Sequence, residues 1–515
     1  LTAKISSAWN RAQYAIYALA LAVSISTWFI AIHAPLGLDE TGTYWQISDG
    51  FSGIWQRGQN SLVFPAYPYI LWLSTKLIGA SEIALRVPSI IAMFGAAYLL
   101  YLAAREFFER DLAIIATVIF CIHPIVIFAS IDIRPYAFGI LAVNAAIYIL
   151  LRLKRSDSNS LLALFGLTAA CIVWFHYLFI DILPALAFCF FAVKNCDRKK
   201  AWRQMSLALA AFALALLPAI PGLMSLFRTS KTHVYESAPN VFDLARTFMP
   251  GRFFYILFGT AFIAFLVLAS RQRPFLAKAL EGRQILLCTS LALVPIVILY
   301  GVSVGTSIHT FATRHRLDAI PGIALCWVLL LNRFYPRTVR LLFCTALVAT
   351  TAFGYFSSPK SRLREPSLKY AVEVAGKNAA VDDAPVLMCS GFVESNYVAM
   401  PSIETVKDSP YFAPLSYYRL SGTVVPLPQR FNDQTIQIGT RFLSDATQIH
   451  QRFLVVGHHV DCYKTLDWFT QNAAATHSVR EVGVFDGVEV LEFTPRNEVP
   501  PGAVNPSPHN HGGER

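Results

Sequence analysis

Residues 14–45 read YAIYALALAVSISTWFIAIHA followed by PLGLDETGTYW. From Tyr14 to Ala34 there is no Asp, Glu, Lys or Arg. A run of that length crosses a hydrocarbon core of roughly 30 Å as a helix rising about 1.5 Å per residue. Two adjacent carboxylates come next, Asp39 and Glu40, then Tyr44 and Trp45, aromatics of the kind that sit at a membrane interface. One span leading into an acidic loop frames the rest of the chain. Lys4 and Arg11 precede the run, and no small-residue cleavage pattern follows it, so it reads as a signal anchor.

The same pattern repeats. Apolar runs follow at Ala84–Ala104, Leu112–Phe128, Ala137–Leu153, Leu161–Trp174, Leu178–Val193, Met205–Leu223, Phe253–Leu268, Ile285–Val302, Ala319–Leu331 and Leu341–Tyr355. With the first, they give about eleven transmembrane helices by hydropathy. Tyr67–Gly79 is shorter, aromatic and carries Lys76, which suits a helix lying at the interface. Composition agrees: 55% of residues are hydrophobic and 15% charged, against roughly 25% charged in a soluble domain. The net charge of +11 does not point to nucleic acid. Its Lys and Arg sit mainly in alternate loops: Arg105 and Arg110; Arg152, Lys154 and Arg155; Lys194, Arg198, Lys199, Lys200 and Arg203; Arg271, Arg273, Lys278 and Arg283; Arg333, Arg337 and Arg340. The positive-inside rule puts those loops and the N-terminus in the cytoplasm, and an odd span count puts the C-terminal segment outside. The loop after Leu223, with Arg228, Lys231, Arg246 and Arg252, is an exception; long loops obey the rule less strictly.

From Ser357 the composition changes. Ala384–Cys389, Thr423–Leu427, Phe453–Val456, Glu481–Phe485 and Val488–Phe493 read as strands. Ser367–Asn378 and Asp461–Ala473 read as helices, the second with Asp461 as its N-cap. The domains expected are a membrane domain over 1–356 with its first external loop at 35–83, an external α/β domain over 357–498, and a disordered tail over 499–515. Of the nine cysteines, Cys121, Cys171, Cys189, Cys288, Cys326 and Cys344 lie in apolar runs and Cys196 in a basic loop; none has zinc-type spacing. Cys389 and Cys462 fall in the external domain, where an oxidising compartment would let them pair.

Chemistry-bearing residues gather in the external loops. Asp39 would cap a short helix, or act as a base at the membrane surface. Asp132 and Arg134, with Pro135 and Tyr136, would close a tight loop, or offer a guanidinium to phosphate oxygens. His176 and Tyr177 sit between two spans, and Arg314-His315-Arg316 places a basic cluster on the base-poor side. Carboxylates with Arg, His and Tyr on one face of a membrane suit an anionic, lipid-anchored substrate.

In combination these residues resemble the GT-C glycosyltransferases, among them the lipid A aminoarabinose transferases, the protein O-mannosyltransferases and the rhizobial galacturonosyltransferase-like group. Asp39-Glu40 looks like their acidic first-loop motif. Gly79-Ala80-Ser81-Glu82, with Arg86, Pro88 and Ser89, is similar to the group's G-x-S-E-x-x-x-R-x-P-S stretch. Asp132-Ile133-Arg134-Pro135-Tyr136 resembles E-x-R-P-Y, His176-Tyr177 resembles H-Y, and Arg314 with Pro321 resembles the R-Y…P element with His315 in place of Tyr. The likeness runs over about residues 14–335 in order. One departure is Val63-Phe64-Pro65-Ala66-Tyr67, which lacks the basic residue of the family's H-P-P-L-Y or K-P-P.

The resemblance implies a multi-pass enzyme of the bacterial cytoplasmic membrane with its C-terminal domain periplasmic or extracellular. It would move a sugar from a polyprenyl-phosphate donor to a lipid A, glycan or protein acceptor, with inversion. Asp39 would be the general base and Glu40 its support or a ligand for a divalent cation; no other cofactor is implied. Arg134, Arg314 and Arg316 would bind the donor phosphate, and Asp132, Tyr136, His176 and Tyr177 would line the site. The rival reading is a transporter or flippase for a lipid-linked or anionic solute. That function calls for ionisable groups inside the spans, which are nearly free of them; Asp181, near an edge, is a rare exception.

Overall fold

The computed structural model describes residues 2–61, 66–194, 197–229, 238–248, 256, 259–260, 281–307, 309–334, 337–358, 367–396, 409–420, 422–448 and 450–496. Nearly all of the expected span Phe253–Leu268, the bases Lys231, Arg252, Arg271, Arg273 and Lys278, Cys196, the departure at Val63–Pro65 and the tail 499–515 lie outside these residues.

In chain order the helices are α1 (Thr2–Ser26), α2 (Leu38–Ser48), α3 (Gly50–Ser61), α4 (Ala66–Ile78), α5 (Glu82–Arg105), α6 (Arg110–Cys121), α7 (Pro124–Ser130), α8 (Tyr136–Arg152), α9 (Asn159–Phe175), α10 (Leu183–Val193), α11 (Arg198–Leu216), α12 (Ile220–Thr229) and α13 (Val241–Phe248). They continue with α14 (Gly282–Gly305), α15 (Ile320–Phe334), α16 (Arg337–Ser357), α17 (Lys369–Ala379), α18 (Asp433–Gln448) and α19 (His459–Ala473). The strands are β1 (Val386–Cys389), β2 (Val424–Leu427), β3 (Phe453–His458), β4 (His477–Phe485) and β5 (Val488–Pro495). The chain divides into two compact units, Leu1–His33 with Phe64–Arg362, and Ala34–Val63 with Leu363–Arg515.

The first unit is helical. Among the described residues, Arg11–Phe29, Glu82–Arg105, Arg198–Met224, Gly282–Gly305 and Thr338–Ser357 are five helices long and apolar enough to cross a bilayer. The bent pair α6 and α7 makes a sixth if it is one broken span. α8, α9 and Tyr177–Val193 are shorter apolar helices that the hydropathy reading counts as spans. The stretch expected as one span at Leu112–Phe128 turns by 70° between α6 and α7. Pro124 starts α7 at its first turn, and His123 caps it by accepting from the Ile125 N–H at 3.3 Å. Proline is tolerated there because the first N–H groups of a helix have no internal partner. Close helix contact depends on small residues, as usual inside a membrane. A Cβ on Gly322 of α15 would lie 2.4 Å from the backbone N of Ala292 on α14. Leu73, Leu77 and Ile78 on α4 are exposed, the surface an interfacial helix offers to lipid. At the basic loops, Asp157 gathers Lys194 at 2.8 Å and Lys200 at 2.6 Å, and these partners hold its carboxyl well below the usual range.

The second unit joins residues 34–63 to the C-terminal sheet, so the stretch 35–83 expected as one loop is divided at Val63/Phe64. The strand order is β2-β1-β3-β5-β4, with β1 parallel to both neighbours and β5 antiparallel to β3 and β4. Alternate residues face opposite sides of a strand, and both sides are covered. Val386, Met388, Leu454 and Val456 pack with Ala371, Val372 and Ala375 of α17. Leu387, Phe453 and Val455 pack with Leu443 of α18 and Leu466 and Phe469 of α19. Strands with both faces buried read as near-continuous apolar runs, which is why β1 and β3 are plain in the sequence. Helix α19 begins two residues earlier than expected: His458 is its N-cap, and Asp461 lies in the first turn, 2.7 Å from His458 Nδ1. A disulfide joins Cys389, the last residue of β1, to Cys462 in α19.

Candidate active site

The candidate residues fall into two sets, one in each unit.

In the second unit, Asp39 and Glu40 occupy the first turn of α2, where the helix dipole favours negative charge. Glu40 is buried, and its Oε2 accepts the Gly37 N–H at 3.0 Å. That is the reach-back half of a capping box, so this carboxylate closes the helix start. Asp39 is half-buried. The C-terminal end of α2 is fixed by Arg57 of α3. Its guanidinium donates to the Trp45 carbonyl at 2.6 Å and to Ser48 Oγ at 2.8 Å, and lies 5.0 Å from the Trp45 ring centroid.

In the first unit, the G-x-S-E-x-x-x-R-x-P-S stretch is scaffolding. Gly79 takes φ +83° just past the end of α4, a conformation that favours glycine. Ser81 caps α5 by accepting the Ala84 N–H. Arg86, fully buried, donates to the Ile32 carbonyl at 2.8 Å. Ser89 donates to the Asp132 carbonyl at 2.6 Å, which seats the turn carrying Arg134. Asp132 itself is buried and Arg134 half-buried.

His176 is the centre of this set. It ends α9, is buried, and has ring centroids of Phe179 at 4.4 Å, Tyr136 at 4.9 Å, His315 at 5.8 Å and Tyr177 at 5.9 Å around it. Burial, then the charges of His315, Arg134 and Arg314, hold its pKa well below the ordinary histidine value. The ring is therefore neutral at physiological pH, beside cations that repel a further proton. Loops distant in sequence thus bring Arg134, Tyr136, His176, Tyr177, Arg314 and His315 together. Arg316 is differently engaged. It donates to Thr247 Oγ1 at 2.5 Å and Thr313 Oγ1 at 2.7 Å, with its guanidinium 4.8 Å from the Phe311 centroid.

Residues 63–224 match the model of a family described as dolichyl-phosphate-mannose-protein mannosyltransferase. No curated protein matches the sequence. Among solved structures, the mycobacterial arabinofuranosyltransferase AftD aligns with a TM-score of 0.50 at 14% identity, covering 92% of this chain and 41% of that one. The chain has the GT-C glycosyltransferase fold. ArnT from Cupriavidus metallidurans bound to undecaprenyl phosphate aligns at 12% identity and a TM-score of 0.47, covering 92% of this chain and 97% of that one. AglB, the oligosaccharyltransferase of Archaeoglobus fulgidus, in complex with an inhibitory peptide and a dolichol-phosphate, aligns at 11% and 0.47, covering 95% and 75%.

The first unit also holds a pair the sequence reading missed. Asp181, in the 3-10 turn Tyr177–Ile182, meets Asp318, in the turn Thr313–Ala319. Both are buried, at 5% and 1% exposure, so among the described residues the first unit buries this pair in addition to Asp111 and Asp132. Two carboxylates share no donor, so their contact is a hydrogen bond only when one carries a proton. Asp318 follows the basic triplet by two residues, and that triplet dominated the reading of the segment. Among the described residues, no group of three His, Cys, Asp or Glu side chains is placed to hold a metal ion.

Proposed function

We propose that this protein is a membrane glycosyltransferase that moves a sugar from a polyprenyl-phosphate donor to an acceptor outside the cytoplasm. The observation that carries the reading is the gathering of Arg134, His176 and Arg314, on a GT-C fold whose residues 63–224 match a lipid-phosphate-sugar transferase model. A departing phosphate needs cationic donors set in place before the reaction, and two guanidiniums beside a neutral imidazole supply them. Asp39 takes the proton of the acceptor hydroxyl. The acceptor oxygen bonds to the anomeric carbon as the bond from that carbon to the phosphate oxygen breaks. The electron pair leaves with the polyprenyl phosphate, and the anomeric configuration inverts. The transition state has oxocarbenium character, as in other glycosyl transfers. Tyr136 and Tyr177 line the donor, and Glu40 and Arg316 act through the elements they hold. The N-terminus is cytoplasmic, and the second unit faces the oxidising side, consistent with its disulfide.

Asp39→Asn keeps size and hydrogen-bonding capacity but removes the base. Mass spectrometry of envelope lipids and glycans should find the same sugar missing from the deletion strain and from one carrying Asp39→Asn at normal membrane abundance. Restoration of that sugar by the variant would remove Asp39 from the chemistry. Transport of a lipid-linked sugar without transfer would instead leave the sugar intact in the Asp39→Asn strain.

A further inference from the structure

The helix carrying Asp39 does not stand by itself. α2 is eleven residues long, a length at which isolated helices are marginal in water. Leu38, Thr41, Gly42 and Trp45 recur at the spacing that puts them on one face, and residues within 367–396 and 409–418 meet α2 within the same unit. Gly37 forms an antiparallel bridge with Ser367. The Leu36 N–H donates to Tyr418 Oη at 2.7 Å. Gly391, at φ +70°, comes so close to Leu38 that a Cβ on it would lie 3.0 Å from Leu38 Cδ2. A Cβ on Gly42 would lie 2.5 Å from Phe392 Cε1. Ser416 Oγ donates to the Thr41 carbonyl at 3.1 Å, and Tyr417 meets Tyr44 edge-on at 4.9 Å.

These contacts bracket Asp39 in sequence, at its immediate predecessor and at two and three residues beyond. They also fix the rotation of α2 about its axis. Asp39 sits on the flank of the held face, about 100° around the helix from Leu38. A small roll of the helix therefore swings the carboxylate sideways. We infer that the C-terminal α/β domain is the seat of the acidic helix, with Phe392 and Ser416 as positioning residues that fix Asp39. This rests on the reading of Asp39 as the base. A general base works only within hydrogen-bond reach of its proton, and about 1 Å of misplacement can cost on the order of a hundredfold in rate.

Gly42 makes the inference testable. In an ordinary helix Gly→Ala is stabilising, so harm from Gly42→Ala cannot come from helix propensity. It comes from the Phe392 ring. The test uses the full-length protein in lipid nanodiscs for amide hydrogen exchange over Leu38–Ser48. The same variants, at matched membrane abundance, are scored in cells for the envelope sugar that deletion removes. Gly42→Ala should raise exchange and lower the sugar, each at least tenfold. Phe392→Ala alone should cost about threefold. Gly42→Ala combined with Phe392→Ala should recover much of the loss of Gly42→Ala, because the new methyl enters the space the ring vacated; two unrelated structural injuries would instead multiply. Wild-type exchange and wild-type sugar in Gly42→Ala would overturn the seat. Raised exchange with wild-type sugar would overturn its role in positioning. Asp39→Asn serves as the separate control: if it loses the sugar with unchanged exchange while Gly42→Ala is normal, the base stands and the seat falls. If it keeps the sugar, the base reading itself fails.

Discussion

Removing the Cys389–Cys462 disulfide should loosen the centre of the sheet by an amount the chain length sets. The bridge closes a loop with a sequence separation of 73. In the chain-entropy account, a loop of that size removes about 15 cal/mol/K from the unfolded ensemble, or about 4.4 kcal/mol at 25 °C. Measured values often fall below this bound, so about 3 kcal/mol is a fair expectation. Cys389 and Cys462 are 2% and 1% exposed, so reductant reaches them only through opening, and the paired Cys389→Ser, Cys462→Ser variant is the better perturbation. Serine fits the site, since Cys389 Sγ already faces the Pro428 carbonyl at 3.4 Å. The assay is amide exchange of Leu387, Met388, Val455 and Val456 in the full-length protein, at a pH where exchange reports the opening equilibrium. About 3 kcal/mol corresponds to exchange faster by on the order of a hundredfold. Unchanged protection of these four amides would refute the argument, because it would mean that the unfolded chain gains nothing when the bridge is cut.

Other predictions concern single side chains. Arg452 grips Asp382, Glu492 and the Asn378 carbonyl, and the guanidinium holds the Asp382 pKa below its ordinary value. A depressed folded pKa stabilises above the unfolded value, near 3.9, and that stability is lost as pH falls through the folded value. Because Asp382 is substantially exposed, the effect should be under about 1 kcal/mol; melting of the full chain between pH 5 and pH 2 should show it, and Asp382→Asn should flatten that part of the curve. Arg452→Ala is harsher, leaving buried Glu492 to the exposed Arg480 among the described residues, and should cost about 3 kcal/mol by chemical denaturation. His176 is neutral through the physiological range, so His176→Gln should leave the acid limb of the pH–activity profile where it is, whereas His176→Lys should fall at least tenfold in transfer. Arg316→Ala should lower the amount of folded protein in the membrane by freeing Thr247 and Phe311, with the surviving molecules retaining most of their transfer; a full-abundance, inactive variant would put Arg316 on the donor instead.

The sequence made the middle of the sheet legible because β1 and β3 are buried on both faces: Val386–Cys389 and Phe453–Val456 can hardly be anything else. It also pointed to the acidic loop and to the Arg, His and Tyr positions, whose charge is conspicuous at a membrane edge. Four things were hidden for physical reasons. Hydropathy averages over a window, so it ran through His123-Pro124, although a proline at a first turn is the local mark of a new helix. Helix α18 went unread because its apolar face is thin and Gly439 interrupts it; there the missing Cβ admits Trp468, whose ring carbon would lie 2.3 Å away. The Asp181–Asp318 contact and the seat of α2 are long-range pairings, with no periodic signal at either end.

The seat of α2 also has a schedule. Thr41 meets Ser416 across 375 residues of chain, and Leu36 meets Tyr418 across 382. At synthesis rates of roughly 5–20 residues per second, the partner surface emerges about 20 to 75 s after the helix itself. For that interval α2 is a short helix without its supporting face, while the membrane helices that follow it are being inserted. A nascent chain that has threaded the bilayer but not yet made Ser416 and Tyr418 would hold its carboxylate on an unanchored segment. If Asp39 is the base, competence for transfer is thus acquired only once Ser416 and Tyr418 have been made and close on α2.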